Sequence, residues 1–192
     1  MEIKREQAIA AYEVADENGK KMLEALFGAD TFTKQDNRPV EERIKTFDDA
    51  VNALGYEHPL VRNYLSVVND CEAVDNNLEA YLRLRIVCAA LNEGWEPKFT
   101  KNEWRYYPWF FLFTDKEIAD MDDAETKARH LMCVADVYET EYAGFGSASS
   151  AAAPSVANAS VGSRLCLKSD ALAAYCGKQF IDLWADYLLI RK

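Results

Sequence analysis

A chain of 192 residues that is 49% hydrophobic and 12% aromatic carries enough apolar surface for an ordinary domain with its own core, which excludes disorder as a global state. Asp and Glu total 32 against 22 Lys and Arg, a formal charge of −10 that repels phosphate backbones, so nucleic acid is an unfavoured partner. No apolar run approaches the roughly 18 to 20 residues that span a bilayer; Met1–Glu6 leads into an amphipathic stretch and not into the apolar core of a signal peptide, so the expectation is a cytoplasmic protein without a membrane partner.

In chain order, Ile3, Ala8, Ala11, Tyr12 and Ala15 recur at helical spacing, and a second helical run from Lys20 to Phe27 stops at Gly28, with Asn18-Gly19 bending or interrupting the pair. Residues 29–39 are polar and aperiodic, as in a connecting loop. Thr46 is placed to cap a short helix whose stripe of Phe47, Ala50, Val51 and Leu54 ends at Gly55. Pro59 opens another, with Leu60, Val61, Tyr64, Leu65, Val68 and Cys71 in step. From Asn77, read as the cap of a long helix, the face of Tyr81, Leu84, Cys88 and Leu91 continues until Gly94.

The character changes at Trp95. Glu96-Pro97 breaks the helix, and residues 104–113 hold seven aromatics in ten positions, a pattern of high β propensity that predicts a strand over 109–114 with Pro108 at its start. Residues 115–131 return to helix from a cap at Asp115, with Asp122-Asp123 as a dividing point, and 134–142 alternate as a strand does. The stretch 143–163 is almost all Ala, Ser and Gly and reads as a flexible or hairpin-tip loop. A short strand at 163–167 then meets a final helix, capped by Ser169, with Leu172, Cys176, Phe180, Leu183, Trp184 and Tyr187 on one stripe. The expected fold is α+β: a helical N-terminal half, and a small antiparallel sheet in the C-terminal half covered by a long C-terminal helix. It is read as a single unit over 1–192 that divides at most into 1–94 and 95–192.

The candidate chemistry is sparse. The aromatic run is consistent with base stacking beside Arg105 or with a protein interface, but core packing accounts for it better, with Trp109, Phe111 and Phe113 on one side and Phe110 and Leu112 under a helix. Gly144-Phe145-Gly146-Ser147 lacks both the third glycine of a dinucleotide fingerprint and the Gly-Lys-Ser/Thr of a phosphate loop. His130 and Cys133 share a helical spacing, yet no second His or Cys-x-x-Cys accompanies them, so no metal is expected. Five widely spaced cysteines among apolar neighbours read as reduced core residues. Glu139 and Glu141 are two apart on the expected strand and read as exposed polar positions. Neither a catalytic residue nor a cofactor is assigned.

Three stretches carry a resemblance: Leu91-Asn92-Glu93-Gly94-Trp95 with Pro97; Tyr106-Tyr107-Pro108-Trp109-Phe110; and Gly162-Ser163-Arg164-Leu165-Cys166 through Lys168-Ser169 to Tyr175-Cys176-Gly177-Lys178-Gln179-Phe180. Together, over residues 80–190, they resemble a group of proteins encoded by phages and prophages of gut bacteria. The resemblance implies viral origin and a place in the cytoplasm of a bacterial host or in a virion, and it transfers no catalytic assignment. The leading expectation is a non-enzymatic protein that binds other protein subunits, itself among them, in virion assembly or against a host factor. The alternative is a small-ligand or nucleotide binder, for example of anti-defence type, holding its ligand against Trp104, Tyr106 or Tyr107 by Arg105, Arg164 or Lys168. Trp109 and Phe145 complete the set of candidate interface residues.

Overall fold

A computed structural model describes residues 5–28, 31–32, 36, 38–71, 73–98, 100, 102–154 and 163–192. The chain falls into two compact units, 1–38 and 39–192. The first holds α1 (Arg5–Val14) and α2 (Glu17–Phe27). The break between them is at Ala15-Asp16: the Asp16 carboxylate caps α2 by accepting the Gly19 N–H at 2.8 Å, so Asn18-Gly19 lies inside the helix that it was expected to interrupt. Tyr12 stacks on Phe32 with ring centroids 4.3 Å apart and donates its hydroxyl to Glu24.

The second unit begins with α3 (Val40–Arg43), α4 (Phe47–Leu54), α5 (Pro59–Asp70) and α6 (Asn76–Asn92). Thr46 and Asp49 close a full capping box on α4, and α6 starts from Asp75, two residues before the expected cap. α6 is the hub. It packs against α4, α5 and, later in the chain, α10 (Ile181–Leu188), and Leu84, Ile86, Val87 and Leu91 lose all solvent exposure among them. The unit therefore continues across residue 94.

Beyond the hub, β1 (Trp104–Phe113) is followed by α7 (Asp115–Ala119), α8 (Asp123–Arg129), β2 (Met132–Cys133), β3 (Gly144–Pro154), a single 3-10 turn (Ser163–Leu165) and α9 (Asp170–Gln179), which leads into α10. The three strands form one antiparallel sheet in the order β1-β3-β2. As expected for an α+β chain, the sheet is covered by the C-terminal helical segment. That segment is interrupted at Phe180 (φ −117°, ψ 35°), so α9 lies on β1 and β3 while α10 turns to α6. The approach is close at Gly177, where an added Cβ would fall 2.8 Å from Pro108 Cβ.

Four expectations about strands change. The strand expected over 109–114 with Pro108 at its start runs from Trp104 to Phe113, with Pro108 in its interior. The Ala/Ser/Gly stretch is no loop over 144–154: its backbone pairs along the whole of β1, from Phe113 opposite Gly144 to Trp104 opposite Pro154, with one register shift between Trp109 and Phe110. Weak intrinsic β propensity is overridden by an aromatic partner strand. Residues 155–162 lie outside the described residues. The strand expected at 134–142 does not form: β2 ends before it at Cys133, and the chain then turns, burying Val134 and Tyr138. The short strand at 163–167 is the 3-10 turn followed by one antiparallel bridge, Leu167 to Tyr106.

Candidate functional site

Side chains alternate along β1. Tyr106, Phe110 and Leu112 pack on the main core: Phe110 stacks on Phe145 with centroids 4.7 Å apart and tilts against Trp184 at 5.6 Å. The opposite face carries Arg105 and Tyr107, both buried, then Trp109 and Phe111, 51% and 48% exposed, then Phe113, buried beneath the Arg129 guanidinium at 5.3 Å. Trp109 and Phe111, expected in a core, are thus half in solvent. Phe111 sits opposite Gly146, which has no side chain to cover it; the space over that glycine is bordered by Phe113, by Arg129 at the end of α8 and by Leu131 just after it.

β1 is also an edge strand. Tyr106 exchanges both backbone hydrogen bonds with Leu167, at 3.1 and 2.9 Å, on the side away from β3. Antiparallel alternation then aims the backbone N–H and C=O of Phe110 and Leu112 at the same outer edge, where Pro108 has no N–H to offer. Among the described residues no strand pairs with that edge beyond Tyr106.

The other candidate residues scatter. Trp104 is 52% exposed at the start of β1. Arg105 has no exposed surface and so cannot meet a ligand arriving from solvent; it lies near Tyr107 and Cys166, and its charge opposes the rise that burial imposes on both. The Cys166 thiol is pushed up to about 11, which keeps it protonated and unreactive at neutral pH. Phe145, expected on a loop, is a core residue. Lys168 is held in an ion pair at 2.8 Å by Glu93, which also binds Arg43. The Lys168 hydrogen bond, followed by the charges of Lys168 and Arg43, holds the Glu93 carboxyl below its usual range.

Arg164 alone of the expected ligand residues opens onto a cleft, of about 280 Å³. Arg85 of α6 faces the same space, as does the half-buried Trp95. Leu60, Ala89 and Pro97 supply apolar wall, and Cys166 and Asn92 form part of the lining next to them. Two features place these groups. Glu93 (φ 50°) and Gly94 (φ 81°) turn the chain at the end of α6 so that the Trp95 N–H returns to the Asn92 carbonyl at 2.9 Å. The buried Asn92 amide then fastens the strand-like segment after Arg164, donating to the Cys166 carbonyl at 2.9 Å and accepting the Lys168 N–H at 3.0 Å. Trp104, Tyr106 and Tyr107 are not among the described residues of this cleft. Arg85 and Trp95 escaped sequence reasoning because one sat on the polar side of a core helix and the other in a helix-ending turn.

Among the described residues no group of three His, Cys, Asp or Glu is placed to hold a metal. His130 ends α8 in the left-handed region while Cys133 stands on β2, so the helical spacing that would have aligned them does not exist. Of the five cysteines expected in the core, Cys71 and Cys133 are exposed; Cys88 and Cys176 are buried against one another, and their hydrogen bond, followed by burial, drives the Cys88 thiol well above its ordinary value. Compared with family models, curated proteins and solved structures, this chain matches none.

Proposed function

We propose that this is a non-enzymatic protein, of phage or mobile-element origin, that works by contact with other protein subunits, a second copy of itself among them. The observation that carries the reading is the half-exposed pair Trp109 and Phe111 on a strand whose outer edge is unpaired among the described residues. Large aromatics are what protein contacts are anchored on, and a free edge adds backbone groups for a partner to meet.

Magnitudes set the kind of contact. Two rings left half open expose on the order of 200 Å², worth about 5 kcal/mol at ~25 cal/mol per Å². Association costs ~4–15 kcal/mol in lost rigid-body freedom, so the rings seed a contact that Trp104 and the Phe110–Leu112 edge extend, and assembly through this face depends on concentration. Phage origin rests on the sequence resemblance, and with it a place in the host cytoplasm or a virion. Light scattering over a hundredfold concentration range tests the reading: mass rising toward a defined oligomer supports it, and a constant monomer mass throughout overturns it.

A further inference from the structure

We propose that the cleft between α5, the end of α6 and the 164–166 segment binds a small anion that carries a planar ring, of the nucleoside monophosphate class. The proposal is independent of the aromatic face of β1, which lies on other residues. Four observations carry it.

Arg85 and Arg164, remote in sequence, converge on one cavity in a chain whose net charge is −10, and among the described residues neither is paired with a carboxylate. Counting Glu96, which also lines the space, the cleft carries two positive charges and one negative, a net of +1 against the sign of the whole protein. Guanidinium groups offer paired N–H donors that match phosphate oxygens, and a partner of that kind would supply the acceptors that they lack. Second, Trp95 presents an indole beside them, a flat apolar surface of the sort on which heterocyclic rings stack. Third, Leu60, Ala89 and Pro97 line a space of about 280 Å³, just below the ~300–1,000 Å³ typical of ligand pockets. That size suits a single base, sugar and phosphate better than a dinucleotide, much of which would stand in solvent. Fourth, the walls are preorganised: the Asn92 amide ties the segment bearing Arg164 to the end of α6 through two hydrogen bonds, so little ordering remains when a ligand enters.

The test is titration of the purified full chain with AMP, GMP, CMP and UMP, with adenosine and inorganic phosphate as separate probes, read by tryptophan fluorescence and by calorimetry. At least one monophosphate is expected to bind at micromolar to millimolar concentration, more tightly than either half-molecule, with affinity falling as salt rises. Arg164→Ala, on an exposed turn, is expected to weaken it about tenfold or more, the cost of one charged hydrogen-bonding partner, while melting without ligand stays unchanged. Arg85→Lys keeps the charge but loses the paired donors and weakens it too. No binding by any monophosphate up to millimolar concentration, inorganic phosphate binding as tightly as the best of them, or an unchanged affinity in Arg164→Ala, would each overturn the proposal.

Discussion

The Asn92 side chain accepts the backbone N–H of Lys168 at 3.0 Å, across 76 positions of sequence, and the same amide donates to the Cys166 carbonyl at 2.9 Å. A helix-end asparagine thereby does for the 166–168 segment what a neighbouring strand would do. Asn92→Ala leaves a buried carbonyl and a part-buried N–H without their partner, and at about 1–3 kcal/mol for each group stranded in this way the loss is about 2–6 kcal/mol. Urea unfolding would show it as a lower midpoint at unchanged slope. Asn92→Asp keeps the acceptor and sets a carboxylate against the Cys166 carbonyl, so it should be no more stable than the alanine variant at neutral pH.

At Gly177 two effects of opposite sign compete. Alanine gains about 1 kcal/mol of helix propensity, but its methyl would stand 2.8 Å from Pro108 Cβ and 3.2 Å from Ser147 Oγ, both on the sheet beneath α9. A proline ring on a strand cannot swing aside, so overpacking at about 1–3 kcal/mol wins. Gly177→Ala is expected to melt below the parent protein; a higher melting temperature would show that α9 is free to lift.

Adjacent phenylalanines on β1 should behave as opposites. Phe110→Ala removes a ring stacked on Phe145 and tilted against Trp184 and should cost about 2–4 kcal/mol, somewhat less than a fully buried ring because Phe110 is only partly enclosed. Phe111→Ala, on the half-exposed face, should stay within about 0.5 kcal/mol of the parent. Equal losses at both positions would mean that the faces of β1 are not separated as described.

How far the sequence could be read follows from where each signal resides. Caps and helical periodicity are local, so α4, α5 and α6 were legible to within a few residues, as was the covering of the sheet by the C-terminal helical segment. The nonlocal elements were not. Nothing in the Ala/Ser/Gly composition of β3 announces a strand, because its pairing is decided by the aromatic strand 40 positions before it. The same cause hid the exposure of Trp109 and Phe111: alternation sorted the faces of β1 correctly, but which face would be covered depends on where α8 and α9 pack. Of the ligand set, Arg105 and Lys168 were misjudged through tertiary burial and pairing, and Arg85 was overlooked on a helix read only for its apolar stripe.

Acid should loosen the junction around Glu93. Its folded-state pKa is depressed, chiefly by Lys168, so its contribution is complete above the ordinary carboxylate range near 4.5 and is lost as pH falls through the lowered value. Glu93→Gln should therefore be less stable than the parent at neutral pH, with the gap closing between about pH 5 and 3. Because the Glu93 side chain is 43% exposed, solvent screening keeps the gap small. Denaturant midpoints of both proteins across that range check it, and a gap that widened on acidification would refute the assignment.

The central claim is that Trp109 and Phe111 form a contact surface for other subunits, and sedimentation velocity on the parent chain beside a Trp109→Ser/Phe111→Ser double variant tests it most directly. The prediction is a sedimentation coefficient that rises with concentration in the parent and stays at the monomer value in a variant that is equally folded by circular dichroism. Identical, concentration-independent monomer boundaries for both proteins would contradict it.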